Sequence, residues 1–205
     1  MGQIFEARHQ PGTIAYSVTT MITVLQETCD ELARNGIKKI VLINGHGGND
    51  QLLQYFCQTQ LASKKGYVVY LFDPSDDKSV DAKLAKFRKT ELDGHAGEEE
   101  TSKMLANRPE LVQMDRANDQ SGEDLNRLAG LKHAYTGIWW YASQPEHYRG
   151  VGSAGTKEFG EAAFQLESDL LAEMIRSVKR DAVAPALQKE FFEKAANPTA
   201  TKQIK

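Results

Sequence analysis

Only two cysteines occur in 205 residues, so the fold is not built on a disulfide framework. Both, Cys29 and Cys57, fall on apolar stripes of expected helices, where a free thiol packs as a small hydrophobe. Long apolar runs are missing too. Nowhere do about 18 apolar residues follow one another, and residues 1–20 carry Glu6 and Pro11 instead of a signal-peptide core. Excess positive charge is also lacking: 25 Lys and Arg against 28 Asp and Glu give a net charge of −3, too few clustered cations to grip nucleic acid in general. These absences point to a soluble cytoplasmic protein whose partners are small molecules or proteins, with no membrane and no nucleic acid among them.

Two common catalytic loops are absent. Gly45, Gly47 and Gly48 are not followed by the Gly-Lys-Ser/Thr of a phosphate loop, and Gly152-Ser153-Ala154-Gly155 lacks the Gly-x-Ser-x-Gly spacing of a nucleophile elbow. With two distant cysteines a thiolate metal site is disfavoured. What remains for a metal is histidine and carboxylate.

The patterning that is present alternates helix and strand. Val18, Met21, Ile22, Leu25, Cys29 and Leu32 recur at helical steps before Asn35-Gly36, and the short β-branched run Ile37 to Ile43 follows as a buried strand. Asn44 to Asn49 then forms a glycine-rich loop, with Asn49 or Asp50 available to cap a helix through Leu52, Leu53, Phe56, Cys57 and Leu61. A second buried strand is expected over Tyr67 to Phe72, closing at Asp73 to Asp77, and the helical crossover requires the two strands to be parallel. Further on, the spacing predicts a surface helix or loop over 76–92, a helix from about Glu98 to Asn107, and mostly irregular chain over 110–155. Within that stretch Gly137 to Tyr141 reads as a short strand. A long helix follows, capped by Thr156 and facing inward with Phe159, Ala163, Leu166, Leu170, Met174 and Val178, and then a short one over Leu187 to Ala195. At this length and with 40% hydrophobic residues, one domain over 1–205 is expected, with 181–205 as a peripheral tail.

Ligand crevices of open α/β sheets lie beyond the carboxyl ends of the strands, which is where Asn44-Gly45-His46-Gly47-Gly48-Asn49 falls. His46 is therefore either a metal ligand or a loop histidine bonded to nearby backbone. His95 precedes three consecutive glutamates, Glu98, Glu99 and Glu100, whose side chains on a helix point about 100° apart, so at most one or two of them can face one site. Glutamates in a first turn also simply suit the helix dipole. Trp139, Trp140 and Tyr141 read as core and surface packing or as a wall for a planar substrate. His133 and His147 read as solvent-facing loop residues.

Taken together, Asn44-Gly45-His46-Gly47-Gly48-Asn49, Gly94-His95-Ala96-Gly97-Glu98-Glu99-Glu100-Thr101-Ser102 and an upstream Pro11-Gly12-Thr13 resemble the creatininase (creatinine amidohydrolase) family, in order and spacing, over roughly residues 10 to 180. The resemblance implies a three-layer α/β/α sandwich with a mostly parallel sheet. It also implies a centre of two divalent metals, zinc or manganese, for opening the C–N bond of a small, often cyclic amide. In that arrangement His46 is a ligand of one metal, Glu100 of the other, and His95 the catalytic proton shuttle. A homo-oligomer, with a hexamer in view, is implied as well. Family members carry further ligands on an earlier Glu-x-His-Gly segment and a nearby Asp, and the sequence has no such segment before Pro11. Two alternatives follow: a catalytically incomplete member serving as a binding or assembly subunit, and a hydrolase of a related cyclic ester or ketone.

Overall fold

The computed structural model describes residues 2–72 and 78–202. In chain order the elements are α1 (Val18–Arg34), β1 (Lys39–Ile43), α2 (Asp50–Thr59), β2 (Val68–Phe72), α3 (Lys78–Leu84), α4 (Glu98–Asn107), α5 (Trp139–Ser143), α6 (Lys157–Arg180) and α7 (Val183–Ala195). Two compact units result, one from Met1–Gln3, Ala15–Asp73 and Leu171–Lys205, the other from Ile4–Ile14 and Pro74–Leu170. The expected strand closure at Asp73 to Asp77 lies outside the described residues.

In the first unit β1 and β2 pair in parallel, from Lys39 opposite Val68 to Ile43 opposite Phe72. The α/β reading of the sequence is what the chain adopts, with helices dominating and the sheet parallel. Alternation of side chains along the strands splits the sheet into two faces. On one face Ile40, Leu42 and Val69 pack with Tyr67, with Cys29, Ile22 and Leu25 of α1, and with Phe56 of α2. Ser17 caps α1 by accepting from the Thr20 N–H at 3.1 Å. The other face is tied to the end of α6 and the start of α7. Lys39 Nζ donates to the carbonyls of Val178 at 2.6 Å and Lys179 at 3.0 Å, and also to that of Asp181, placing a cation where the C-terminal carbonyls of α6 need one. The Tyr70 hydroxyl donates to Asp181 at 2.7 Å, and the Gln188 amide to the Tyr67 carbonyl at 2.7 Å. Helices thus lie on both sides of the sheet, and α7 starts earlier than the periodicity suggests. Pro185 is accommodated because it falls in the first turn, where its missing N–H has no partner to lose.

The second unit is helical among its described residues. Its core gathers Leu84 of α3 with Phe159 and Ala163 of α6, flanked by Val80, Phe87 and Leu166. The Thr156 hydroxyl caps α6 by accepting from the Phe159 N–H at 3.2 Å. Close approach of α6 to α4 depends on Gly160, since a Cβ there would collide with the Ser102 carbonyl. Buried Ser102 locks that junction by donating to the Glu98 carbonyl at 2.6 Å and accepting from the Thr156 N–H at 2.9 Å.

One expectation fails here. Residues 139–141 are not a strand but the first turn of the helix α5. Two β-propensity tryptophans gave a strand reading, yet no neighbouring strand is present among the described residues to pair with them, and a strand without a partner leaves its backbone unsatisfied.

Candidate functional site

In the first unit the loop after β1 is a web of amides. The Asn44 side chain accepts from the His46 N–H at 3.2 Å and from the Asn49 amide at 3.3 Å, and donates to Asp50 at 2.6 Å. Buried Asn49 accepts from the Gln3 N–H at 2.9 Å, so its side chain is spent on this segment and does not cap α2. His46 has extended backbone and is half-buried. Its Nε2 lies 3.0 Å from the Gln3 carbonyl, an acceptor only, which makes Nε2 the donor. This backbone contact accords with a loop histidine and leaves the metal-ligand reading open. An ion on this ring would have to take Nδ1, or displace the Gln3 contact.

In the second unit the segment Asp93 to Glu100 is organised by carboxylates. Asp93 accepts from the Gly94 N–H at 2.8 Å and the Glu99 N–H at 3.1 Å, holding the start of α4. Gly97 keeps the space beneath it open, because a Cβ there would strike the Asp93 carboxylate and the Arg149 carbonyl. Burial pushes the Asp93 carboxyl up, against the pull of those two backbone donors. The three glutamates diverge as a helix demands. Glu98, 1% exposed, turns inward to accept from the N–H groups of Lys89 and Thr90, each at 2.8 Å, and from the Thr90 hydroxyl at 2.7 Å. Glu99 pairs with Lys103 at 3.0 Å and Arg88 at 3.3 Å. Glu100 alone turns to the histidine, accepting from the Ala96 N–H at 2.6 Å and standing 3.7 Å from His95 Nδ1. Ala96 reaches this arrangement with a φ of 55°.

Two aromatic neighbours of His95 escaped the sequence reading. The His147 ring is 4.5 Å from it, centroid to centroid, and the Trp140 ring stands edge-on at 6.3 Å. Trp140 Nε1–H donates to His147 Nδ1 at 2.8 Å. His147 is thus half-buried against aromatics and not the solvent-facing loop residue its Pro-Glu-His-Tyr setting suggested; it lies outside every periodic element, so no pattern in the sequence marks it. His133 is exposed as expected. Trp139 is 41% exposed and packs edge-on against Trp140, so the aromatic run divides between contact and surface. His9 is engaged within the same unit, 2.6 Å from the Pro145 carbonyl and edge-on to Tyr141.

His95 and Glu100 are therefore brought together, while His46 belongs to the other unit. Imidazole and carboxylate are suitable donors for zinc or manganese. They do not complete a centre: among the described residues no three His, Cys, Asp or Glu side chains gather as metal ligands do.

Comparison with known proteins gives a consistent picture. A family model described as creatinine amidohydrolase matches residues 1–175. The creatinine amidohydrolase of Pseudomonas putida is 33% identical over 121 residues, which are 54% of this chain and 46% of that protein, so this chain spans less than half of the curated relative it matches. A solved structure from Bacteroides fragilis, provisionally described as a creatinine amidohydrolase, is similar with a TM-score of 0.72 at 22% identity, over 89% of this chain and 70% of that one. A manganese creatininase follows at a TM-score of 0.65 and 22% identity, over 86% and 72%. Solved creatininases of this fold include manganese and zinc forms. At such identities the structures speak to the fold, and the family model speaks to descent: the chain belongs to the creatinine amidohydrolase family.

Proposed function

We propose that the chain acts in a metal-dependent amidohydrolase that opens the C–N bond of a small, often cyclic amide, with His46 and Glu100 as metal ligands and His95 as the proton shuttle. The observation that carries the reading is the juxtaposition of His95 and Glu100 at the start of α4, 3.7 Å apart, in a chain of this family. His46 and Glu100 would hold a divalent zinc or manganese ion, which would supply acidification of the attacking water. His95 then takes the proton that the attacking water gives up, and returns it to the leaving nitrogen as the C–N bond breaks. Glu100, its carboxylate fixed by the Ala96 N–H, stands on the Nδ1 side of the His95 ring at 3.7 Å. Donors beyond His46 and Glu100 are required. The same reading takes the protein as cytoplasmic and as an assembly of identical chains, in which a neighbouring copy is one source of those donors. It has a structural rival: the incomplete donor set among the described residues favours a binding or assembly subunit without chemistry.

Elemental analysis of the purified chain separates the two. The amidohydrolase reading expects close to stoichiometric zinc or manganese, reduced in His46→Ala and in Glu100→Ala. Less than about one tenth of an ion per chain, unchanged by either substitution, would leave only the binding subunit.

A further inference from the structure

We infer that His147, held by Trp140, is a positioning residue for His95; the inference rests on reading His95 as the proton shuttle. Indole N–H can only donate, so the 2.8 Å contact from Trp140 Nε1 makes His147 Nδ1 an acceptor. That fixes which way round the His147 ring sits, with its proton on Nε2. The ring so fixed lies 4.5 Å from the His95 ring at a tilt of 59°, and Trp140 closes a second side edge-on at 6.3 Å. Glu100 stands 3.7 Å from Nδ1, and the His95 carbonyl accepts from the Arg149 N–H at 2.9 Å. The imidazole is thereby bounded by His147, Trp140 and Glu100, with its backbone tied down. Backbone conformation on both flanks is costly. Ala96 and His147 adopt φ of 55° and 56°, values that a side-chain-bearing residue keeps only when its surroundings insist. The His147 N–H donates to the Gln144 carbonyl at 3.0 Å, which helps to set that turn. A histidine left to rotate about its side-chain bonds would present its nitrogens in many directions. A shuttle must present one, since a displacement of about 1 Å can cost about a hundredfold in rate.

The test uses His147→Asn, which tolerates the positive φ but removes the ring, and Trp140→Phe, which keeps a ring and removes the donor. With creatinine as substrate and added zinc or manganese, His147→Asn is expected to lower kcat about tenfold or more with KM within about twofold, and Trp140→Phe to lower it less, in the same sense. An independent readout needs no turnover: the carbon-bound ring protons of His95, followed by NMR, should shift in both variants as the neighbouring rings move. Unmoved His95 resonances in His147→Asn overturn the inference, as does an unchanged kcat beside shifted resonances. A chain that shows the shift yet hydrolyses no creatinine and holds less than about one tenth of an ion retains the clamp and counts against the amidohydrolase reading, so the two failures are distinguishable.

Discussion

The loop after β1 and the segment before α4 each present a histidine, and they hold it by different chemistry. Around His46 the web is built mainly from neutral amides, Asn44, Asn49 and the Gln3 backbone, with Asp50 at its exposed margin. Around His95 the organising groups are carboxylates: Asp93 on backbone N–H groups, Glu98 buried on three donors, and Glu100 on Ala96. An amide web is nearly indifferent to pH and loses about one hydrogen bond's worth of stability when a member is removed. A buried carboxylate leaves several donors stranded when it is removed, and its hold depends on its charge.

Glu98→Ala should therefore break the second region hardest. Removing a carboxylate that satisfies two N–H groups and a hydroxyl in a nearly water-free position is expected to cost about 3 kcal/mol or more, read as a lowered urea midpoint with lost amide protection at Lys89 and Thr90. A loss below about 1 kcal/mol would mean that water satisfies those donors as well as Glu98 does, and the contrast between the regions would fall. Asn49→Ala, in the first region, removes the acceptor of the Gln3 N–H and one donor to Asn44, and should cost about 1–2 kcal/mol. Its more telling effect is local. With Gln3 released, the His46 ring loses the carbonyl that fixes its donor nitrogen, and its resonances should broaden or move while those of His95 stay in place.

The contrast also explains what was legible beforehand. Alternating helical and β-branched runs specified α1, β1, α2 and β2 because one buried strand face and one apolar helix stripe leave few registers open, and the parallel pairing followed from the crossover. His46 was legible as a loop residue at a strand end for the same reason. The divergence of Glu98, Glu99 and Glu100 was legible from the helical period alone. Which of them would meet His95 was not, because that is decided by Arg88, Lys89 and Thr90 of the preceding loop and by Lys103 of α4, whose placement no period in the sequence marks. Trp140 and His147 were illegible for a stronger reason: their contact joins a single helical turn to a loop, and neither carries a period. Tertiary packing overrode the β-propensity of Trp139 and Trp140.

Charge dependence supplies the finest test of the difference. In the first unit the Tyr70 hydroxyl, with the N–H groups of Val183 and Ala184, holds the Asp181 carboxyl below its ordinary range. Such a group contributes stability above its unfolded pKa and loses it as pH falls through the folded value. Asp93 in the second unit is the reverse. Burial raises its carboxyl, so folding favours the protonated form, and the contribution present below the unfolded pKa is lost as pH rises through the folded one. Asparagine in either position cannot titrate, so the slope of the difference in Tm from the parent chain against pH isolates each carboxyl from the fixed cost of the substitution. Across the acid range where carboxylates titrate, the difference for Asp181→Asn should fall as pH rises, because the parent gains what the variant cannot. For Asp93→Asn it should rise, because the parent alone pays to ionise a buried group. Slopes of the same sign in the two variants would show that Asp93 is held no differently from Asp181.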